Sequence, residues 1–227
     1  DRDRRIAAFV AERIPDRATI QAGIGGIPDA LLAGLGDHRD LGVHTELLSD
    51  GMIDLIEKGV VTGTYKRLVP GKVVTTFALG THRLNDFLHE NSAVELLPVD
   101  YVNDPRVIAE EDCFVSINAT TEVDFIGQCA SETIAGRYWS GSGGQADFAR
   151  GALYAMRMPC RDRGSERMRL PLAAKIALHT AGTTGGSAGS PSPVGGWSLF
   201  RKCTSTGGAC CMRSSGKSWK LLSTARP

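Results

Sequence analysis

The chain has 227 residues and a net formal charge of +1, a size that suits one α/β domain with a hydrophobic core and an appendage. The charge is unevenly spread, because residues 1–156 carry a net −9 and residues 157–227 a net +10. No run approaches the roughly 18 apolar residues of a membrane helix, and the charged N-terminus lacks an apolar signal-peptide core, so we expect neither a membrane span nor a secretory signal.

The acidic part alternates helix-like and strand-like segments. A helix is predicted over residues 6–14 and a strand over 18–22, which leads into the glycine loop 23–26. Pro28 then lies early in a second helix, where its missing N–H costs nothing. The next strand, 41–45, runs into Glu46. A turn is predicted at 49–51 and a helix at 52–58, followed by strands at 73–79, 94–99, 113–117 and 122–126, helices at 85–90 and 105–109, and a second glycine loop at 140–144.

Strands that alternate with helices and end in polar or glycine-rich turns predict an α/β fold, with an open, mainly parallel sheet flanked by helices. In such folds, ligands bind beyond the carboxyl ends of the strands. Domain 1–156 is therefore expected to carry the ligand site, and both glycine loops belong to it.

Residues 157–227 break this pattern. They are rich in Gly and Ser, basic, and poor in apolar residues, so they cannot bury enough surface to offset their ordering entropy and we predict disorder. The abrupt change of composition supports the hypothesis that this tail is an out-of-frame or mis-spliced translation. The alternative is a genuine basic, disordered extension.

The first glycine loop has more than one interpretation. A dinucleotide fingerprint would need Gly at the position of Pro28, which argues against that ligand. What remains is a tight turn whose backbone N–H groups could hold an anion or an oxyanion, or a plain strand-to-helix turn.

Glu46 is the leading candidate for a reactive side chain, because a carboxylate at the end of a strand faces the ligand side of an open sheet. Nearby backbone donors could stabilise the oxyanion formed if it attacked a thioester. A solvated glutamate is the commoner case, and Glu122 and Asp124 are rival carboxylates.

Other chemistries are not supported. The histidines show no paired metal spacing and the tail cysteines no C-x-x-C, so we expect no metal. The basic tail lacks the aromatic interleaving of nucleic-acid binders, so no such partner is expected. Cys113 and Cys129, in strand-like runs, are expected to be buried reduced thiols, which fits a cytoplasmic protein, or a mitochondrial one in a eukaryote.

Several segments in one order resemble a known family, the acetyl-CoA hydrolase/4-hydroxybutyrate CoA-transferase group. Residues 22–30 (AGIGGIPDA) resemble its glycine segment, and residues 41–46 (LGVHTE), followed by SDG at 49–51, resemble the segment with its catalytic glutamate. Further matches follow at residues 70–72 (PGK), 98–105 (PVDYVNDP), 122–124 (EVD) and 140–148 (SGSGGQADF).

The resemblance implies that residues 1–156 are the C-terminal catalytic domain of a two-domain CoA-transferase, whose N-terminal domain is absent here. It implies that Glu46 attacks an acyl-CoA and then forms a glutamyl-CoA thioester. Glu122 is then expected to be structural or to support the residues around Glu46. Oxyanion and CoA-binding positions follow from the same resemblance: Ile24, Gly25, Gly26, Gly143 and Gly144.

Coenzyme A is implied as a substrate, with no permanently bound cofactor. The expected partners are an acyl-CoA and a short-chain carboxylate of the acetate, butyrate or 4-hydroxybutyrate class, and the full-length protein is expected to be a homo-oligomer without a membrane partner. An acetyl-CoA hydrolase and a truncated, non-catalytic CoA-binding remnant are the alternatives.

Overall fold

A computed structural model describes residues 2–120, 122–126, 128–138, 140–155, 173–177, 201–202, 209–215 and 218–222. The chain divides into two compact units. The first comprises Asp1–Asn118 and Gly143–Ala174, and the second comprises Ala119–Ser142 and Lys175–Pro227.

Helices and strands alternate along most of the first unit, as the sequence pattern predicts. In chain order the elements of the described residues are α1 (Arg2–Ala11), β1 (Thr19–Ala22), α2 (Gly26–Gly34), β2 (Gly42–Leu48), α3 (Asp50–Glu57), β3 (Val73–Ala78), α4 (His82–Leu88), β4 (Val94–Leu96), α5 (Val99–Val102), α6 (Pro105–Ile108), β5 (Phe114–Thr120), β6 (Glu122–Val123), β7 (Cys129–Ala130), β8 (Thr133–Ile134), β9 (Arg137–Tyr138), α7 (Gln145–Ala155), β10 (Ala173–Ala177), β11 (Arg201–Lys202), β12 (Ala209–Ser215) and β13 (Ser218–Leu222).

The first unit is built on a parallel sheet in the order β5-β1-β2-β3-β4, with β10 next beyond β5. Its register pairs Thr19 of β1 with Phe114 of β5 on one side and with Gly42 of β2 on the other. β2 and β3 pair through His44 and Val74. The predicted open parallel α/β sheet is therefore confirmed, and the carboxyl ends of its strands lie along one edge.

Helices cover the sheet in two groups. Helices α1 to α4 pack in succession, and α5, α6 and α7 form the second group. Every residue of β1 is buried, as expected for a parallel strand with helices on both faces. The core beneath the second group contains Val74, Val102, Ile108, Phe114, Phe148, Ala152 and Ala155.

Helices α6 and α7 approach closely at Gly151. A Cβ built there would lie 2.5 Å from Cβ and Cγ2 of Ile108 and 3.2 Å from the carbonyl oxygen of Pro105. Alanine normally stabilises a helix interior relative to glycine by about 1 kcal/mol, but overpacking costs about 1–3 kcal/mol.

We therefore expect Gly151→Ala to lower the free energy of unfolding by up to about 2 kcal/mol, the difference between the two effects. Urea denaturation of the full chain measures it. Gly34→Ala is the matched control, because Gly34 is also helical and a Cβ there meets nothing within 4 Å. Equal midpoints for the two variants would mean that α6 and α7 pack less closely at Gly151 than these distances indicate.

The turn predicted at 49–51 and the strand predicted at 122–126 differ in the structure. The turn predicted at 49–51 is instead the start of α3, where Ser49 adopts an extended backbone as the N-cap residue and Asp50 is the first helical residue. Asp50 accepts hydrogen bonds from the backbone and hydroxyl of Thr81, and this tertiary contact is invisible in a local pattern. The strand predicted at 122–126 is shortened to β6, because Asp124 turns the chain by accepting from the amides of Ile126 and Gln128.

The second unit contains short antiparallel pairs. β6 pairs with β7 and β8 with β9, and strands β11, β12 and β13 form a separate antiparallel sheet. The disorder predicted for residues 157–227 falls mostly on residues outside the described part and stays a prediction.

Cys113 is disulfide-bonded, so the expected reduced thiol at this position is wrong. A strand-like pattern cannot show which cysteines meet in the fold. Within the described residues, no helix is long and apolar enough to cross a membrane.

Candidate active site

The carboxyl end of β2 carries Glu46. β2 is buried over its first four residues, and Glu46 is the first of two half-buried positions near its end. Thr75 of the neighbouring strand donates its hydroxyl to the backbone carbonyl of Glu46 at 3.1 Å. The sheet thus fixes the backbone beneath a carboxylate that stays accessible at the edge.

Gly144 provides the hydrogen-bond donor to this carboxylate. Its backbone N–H lies 2.9 Å from Oε2 of Glu46. Gly144 directly precedes α7, and its carbonyl accepts the amide of Phe148 at 3.0 Å in the first helical turn. A carboxylate at this position also interacts favourably with the positive end of the helix dipole. Residues 98 positions apart are therefore brought into contact.

A side chain at position 144 would displace the neighbouring polar groups. A Cβ built there would lie 2.2 Å from Oε2 of Glu46 and 2.5 Å from Nδ2 of Asn103. Such distances are far shorter than van der Waals contact, and the two polar groups thus occupy the space that a side chain would need.

Asn103 is a residue that sequence reasoning missed as a site candidate. It caps the C-terminus of α5, and its side-chain oxygen Oδ1 is buried without a hydrogen-bond partner among the described residues. A buried polar atom without a partner is costly, so this amide oxygen has a hydrogen-bonding capacity that the described residues do not use. The sequence did contain one indication for Asn103, because this residue lies in segment 98–105, one of the segments that resemble the CoA-transferase family.

The first glycine loop lies at the same edge of the sheet. Thr45, next to Glu46, donates its hydroxyl to the carbonyl of Ala22 at 3.3 Å, and the loop begins at the following residue. Within residues 2–120, no hydrogen bond joins Ile24, Gly25 or Gly26 to Glu46. All three are exposed, and Gly25 has a φ of 119°, a backbone conformation that favours glycine.

The remaining predicted residues have their own local contacts. Gly143 is exposed, and a Cβ there would meet nothing within 4 Å. Glu122 and Asp124 belong to the second unit. The Glu122 carboxylate accepts the backbone N–H of Ala135 at 2.8 Å, and Asp124 holds a turn, which are structural contacts.

His44 lies beneath Glu46 on β2 and is fully buried. Its Nε2 lies 2.8 Å from the carbonyl oxygen of Val102, so Nε2 carries the proton and donates it. Burial lowers the pKa of His44 to about 4; the Val102 hydrogen bond opposes this shift, and the nearby Lys66 charge adds to it. The imidazole is therefore neutral at physiological pH.

We expect this histidine to make the protein acid-labile. Between about pH 6.5 and pH 4 the unfolded chain binds a proton that the folded chain does not, so stability falls as the pH is lowered through that window. The loss approaches about 3 kcal/mol at its lower end. Urea denaturation at several pH values measures it, and the slope should flatten in His44→Gln. An unchanged slope would assign the acid lability to other groups.

Among the described residues, no cluster of three or more His, Cys, Asp or Glu side chains could hold a metal ion. The absence of a metal in the mechanism remains an expectation. What the arrangement can do is hold a carboxylate with one backbone donor and a neighbouring amide at the edge of a sheet.

Comparison with known proteins places this arrangement in context. Residues 80–158 match the family model described as the acetyl-CoA hydrolase/transferase C-terminal domain. The chain is 51% identical to a succinyl-CoA:cyclohexane-1-carboxylate CoA transferase of Geobacter metallireducens, over 65% of this chain and 34% of that protein. It is 48% identical to a 4-hydroxybutyrate coenzyme A transferase of Clostridium kluyveri, over 67% of this chain and 35% of that protein.

A solved structure gives the same result. A 4-hydroxybutyrate CoA-transferase from Porphyromonas gingivalis is 44% identical with a TM-score of 0.60, over 67% of this chain and 36% of that one. Relatives named acetyl-CoA hydrolase are more distant. The chain spans about a third of the length of the curated relatives it matches.

Proposed function

Since the chain belongs to the acetyl-CoA hydrolase/transferase family, we propose that the protein transfers coenzyme A between an acyl-CoA and a small carboxylate, with Glu46 as the nucleophile. The single observation that carries this proposal is the hydrogen bond from the Gly144 amide to Oε2 of Glu46. The family relationship supplies the reaction class, and this contact supplies a residue for its central step.

The reaction proceeds in four balanced steps. A carboxylate oxygen of Glu46 attacks the acyl-CoA carbonyl and expels the CoA thiolate, which leaves an acyl-glutamyl anhydride. The thiolate attacks the glutamyl carbonyl and releases the first carboxylate, which leaves a glutamyl-CoA thioester. The acceptor carboxylate attacks this thioester and expels the thiolate again. The thiolate then attacks the acceptor's acyl carbonyl, which releases the new acyl-CoA and restores Glu46.

Two of these steps pass through a tetrahedral carbon on the Glu46 side chain, and its oxyanion needs a donor. The Gly144 N–H is already directed at Oε2, so it can follow that oxygen as charge develops. One well-placed oxyanion donor lowers the activation barrier by about 3–4 kcal/mol. We propose Ile24, Gly25, Gly26 and Gly143 as further parts of the oxyanion and CoA site, supported by their place beside the same strand ends or beside Gly144.

The proposed substrates are short-chain acids of the acetate, butyrate or 4-hydroxybutyrate class, supported by the names of the relatives. Coenzyme A acts as a substrate and not as a bound cofactor. We propose that the full-length protein is a homo-oligomer of the cytoplasm without nucleic-acid or membrane partners.

For the domain organisation, we propose a catalytic domain at residues 1–156 and a separate basic tail at 157–227, supported by the change of charge and composition. Sequencing the transcript across codons 150–165 tests whether the tail is out of frame. The absence of any family-like reading frame nearby would sink the out-of-frame hypothesis.

Intact mass of the 227-residue chain after incubation with butyryl-CoA tests the function. The expected result is an adduct of CoA mass that maps to Glu46 and disappears when acetate is added, with release of acetyl-CoA. An adduct that water discharges as fast as acetate would favour the hydrolase. No adduct, with CoA still bound, would favour a non-catalytic remnant and contradict transfer by this chain.

A further inference from the structure

His44 fixes the end of the helix that presents Asn103. His44 and Glu46 are two residues apart on β2, so their side chains project from the same face of the strand. The Nε2–H of His44 donates to the carbonyl of Val102 at 2.8 Å, and the next residue is Asn103. This hydrogen bond therefore ties the C-terminus of α5 to the strand that carries Glu46.

The same imidazole packs against the helix that presents Gly144. Its ring meets that of Phe148 edge-on, with centroids 6.3 Å apart and planes at 68°. Phe148 is fully buried, and its amide donates to the carbonyl of Gly144 in the first turn of α7. One side chain thus contacts both elements that flank Glu46.

Packing alone does not explain an imidazole at this position. The Nδ1 of His44 is buried without a hydrogen-bond partner among the described residues, which is a cost that a hydrocarbon side chain would avoid. The Nε2–H bond to Val102 is the polar contact that the ring makes in return. The cost is understandable if that bond has a role beyond stability.

We propose that His44 is a positioning residue for the Glu46 site, which sets the spacing between Asn103 and Gly144 through its bond to Val102 and its contact with Phe148. This inference rests on the proposed function for its kinetic consequence. The geometric consequence, which is the position of the Gly144 amide relative to Glu46, is independent of the proposed function.

Two substitutions separate positioning from packing. His44→Phe keeps a buried ring and removes the Nε2–H donor, whereas His44→Gln loses the ring and can place an amide N–H near the position of Nε2. With butyryl-CoA as the probe, we expect CoA-adduct formation to slow by about 10- to 100-fold in His44→Phe, because a displacement of about 1 Å has that effect. If His44→Phe forms the adduct a hundredfold more slowly than the parent, we expect His44→Gln to form it about tenfold faster than His44→Phe, since the donor is restored.

A second measurement does not depend on turnover. The amide proton shift of Gly144 reports its hydrogen bond to Glu46, as the difference between each chain and the same chain with Glu46→Ala, which removes the acceptor. We expect this difference to be large in the parent and in His44→Gln, and smaller in His44→Phe. Thermal unfolding of each variant shows whether the fold is retained. If His44→Phe does not fold, His44→Leu replaces it as the variant without the donor, and equal shift differences in His44→Leu and His44→Gln overturn the proposal.

The outcomes of the two measurements separate the two proposals. If the parent forms no adduct but the shift difference shrinks in His44→Phe, positioning by His44 stands and the proposed function fails. If adduct forms in the parent and His44→Phe keeps both its rate and its shift difference, positioning is overturned and the proposed function stands. Equal shift differences in the two variants, with equally lowered unfolding midpoints, would show that His44 serves packing only.

Discussion

Replacing Glu46 with Gln is expected to lower CoA transfer by about 10⁴-fold or more and to abolish the CoA adduct, because the amide cannot act as the nucleophile. The change preserves the size of the side chain, and its Oε1 or Nε2 can still lie near the Gly144 amide. The loss should therefore appear in kcat rather than in the KM for acyl-CoA. Steady-state transfer from butyryl-CoA to acetate, together with intact mass, measures both.

Glu57→Gln is the matched control for this substitution. The Glu57 carboxylate is exposed and pairs with Arg83 on the surface, where an ion pair contributes little to stability. Its variant should retain parent activity. Transfer by Glu46→Gln within tenfold of the parent would contradict the assignment of Glu46 as the nucleophile.

Gly144→Ala is expected to lower transfer by about 10²–10³-fold, because the displaced Glu46 carboxylate leaves the backbone N–H of residue 144 and the loss of one oxyanion donor has an effect of that size. The new Cβ would lie 2.2 Å from Oε2 of Glu46 and 2.5 Å from Nδ2 of Asn103, so both polar groups must move. The φ angle of Gly144 lies outside the left-handed region, so alanine is tolerated by the backbone and the effect is steric. The adduct rate and the Gly144 amide shift measure it.

Gly143→Ala tests whether this effect is local to one position. It adds the same methyl group one residue earlier, where nothing lies within 4 Å. We expect parent-like stability and a smaller loss of adduct rate than in Gly144→Ala, because the N–H of residue 143 is kept and the new methyl group does not displace Glu46. If Gly143→Ala loses as much activity as Gly144→Ala, the loop matters through its conformation or through a ligand contact, and the clash with Glu46 is not the cause.

Local patterns in the sequence were sufficient to predict the class of fold. The strand-like run before Gly23, the early Pro28 of α2 and the buried β2 each follow from neighbouring residues, because backbone preferences and burial periodicity act over a few positions. Ordered matches along the chain also identified the family, and the comparisons confirm it. Glu46 was singled out because it lies at the end of a strand in such a sheet, and its catalytic role remains a prediction.

Only the tertiary structure decided what surrounds Glu46. The contact between Glu46 and Gly144 joins β2 to the start of α7 across 98 positions, and no periodicity encodes such a distance. Asn103 and His44 acquire their roles from the packing of α5 and α7 on one face of the sheet. The physical reason is that short-range preferences specify the elements, whereas the juxtaposition of polar groups depends on how buried surfaces from distant segments fit together.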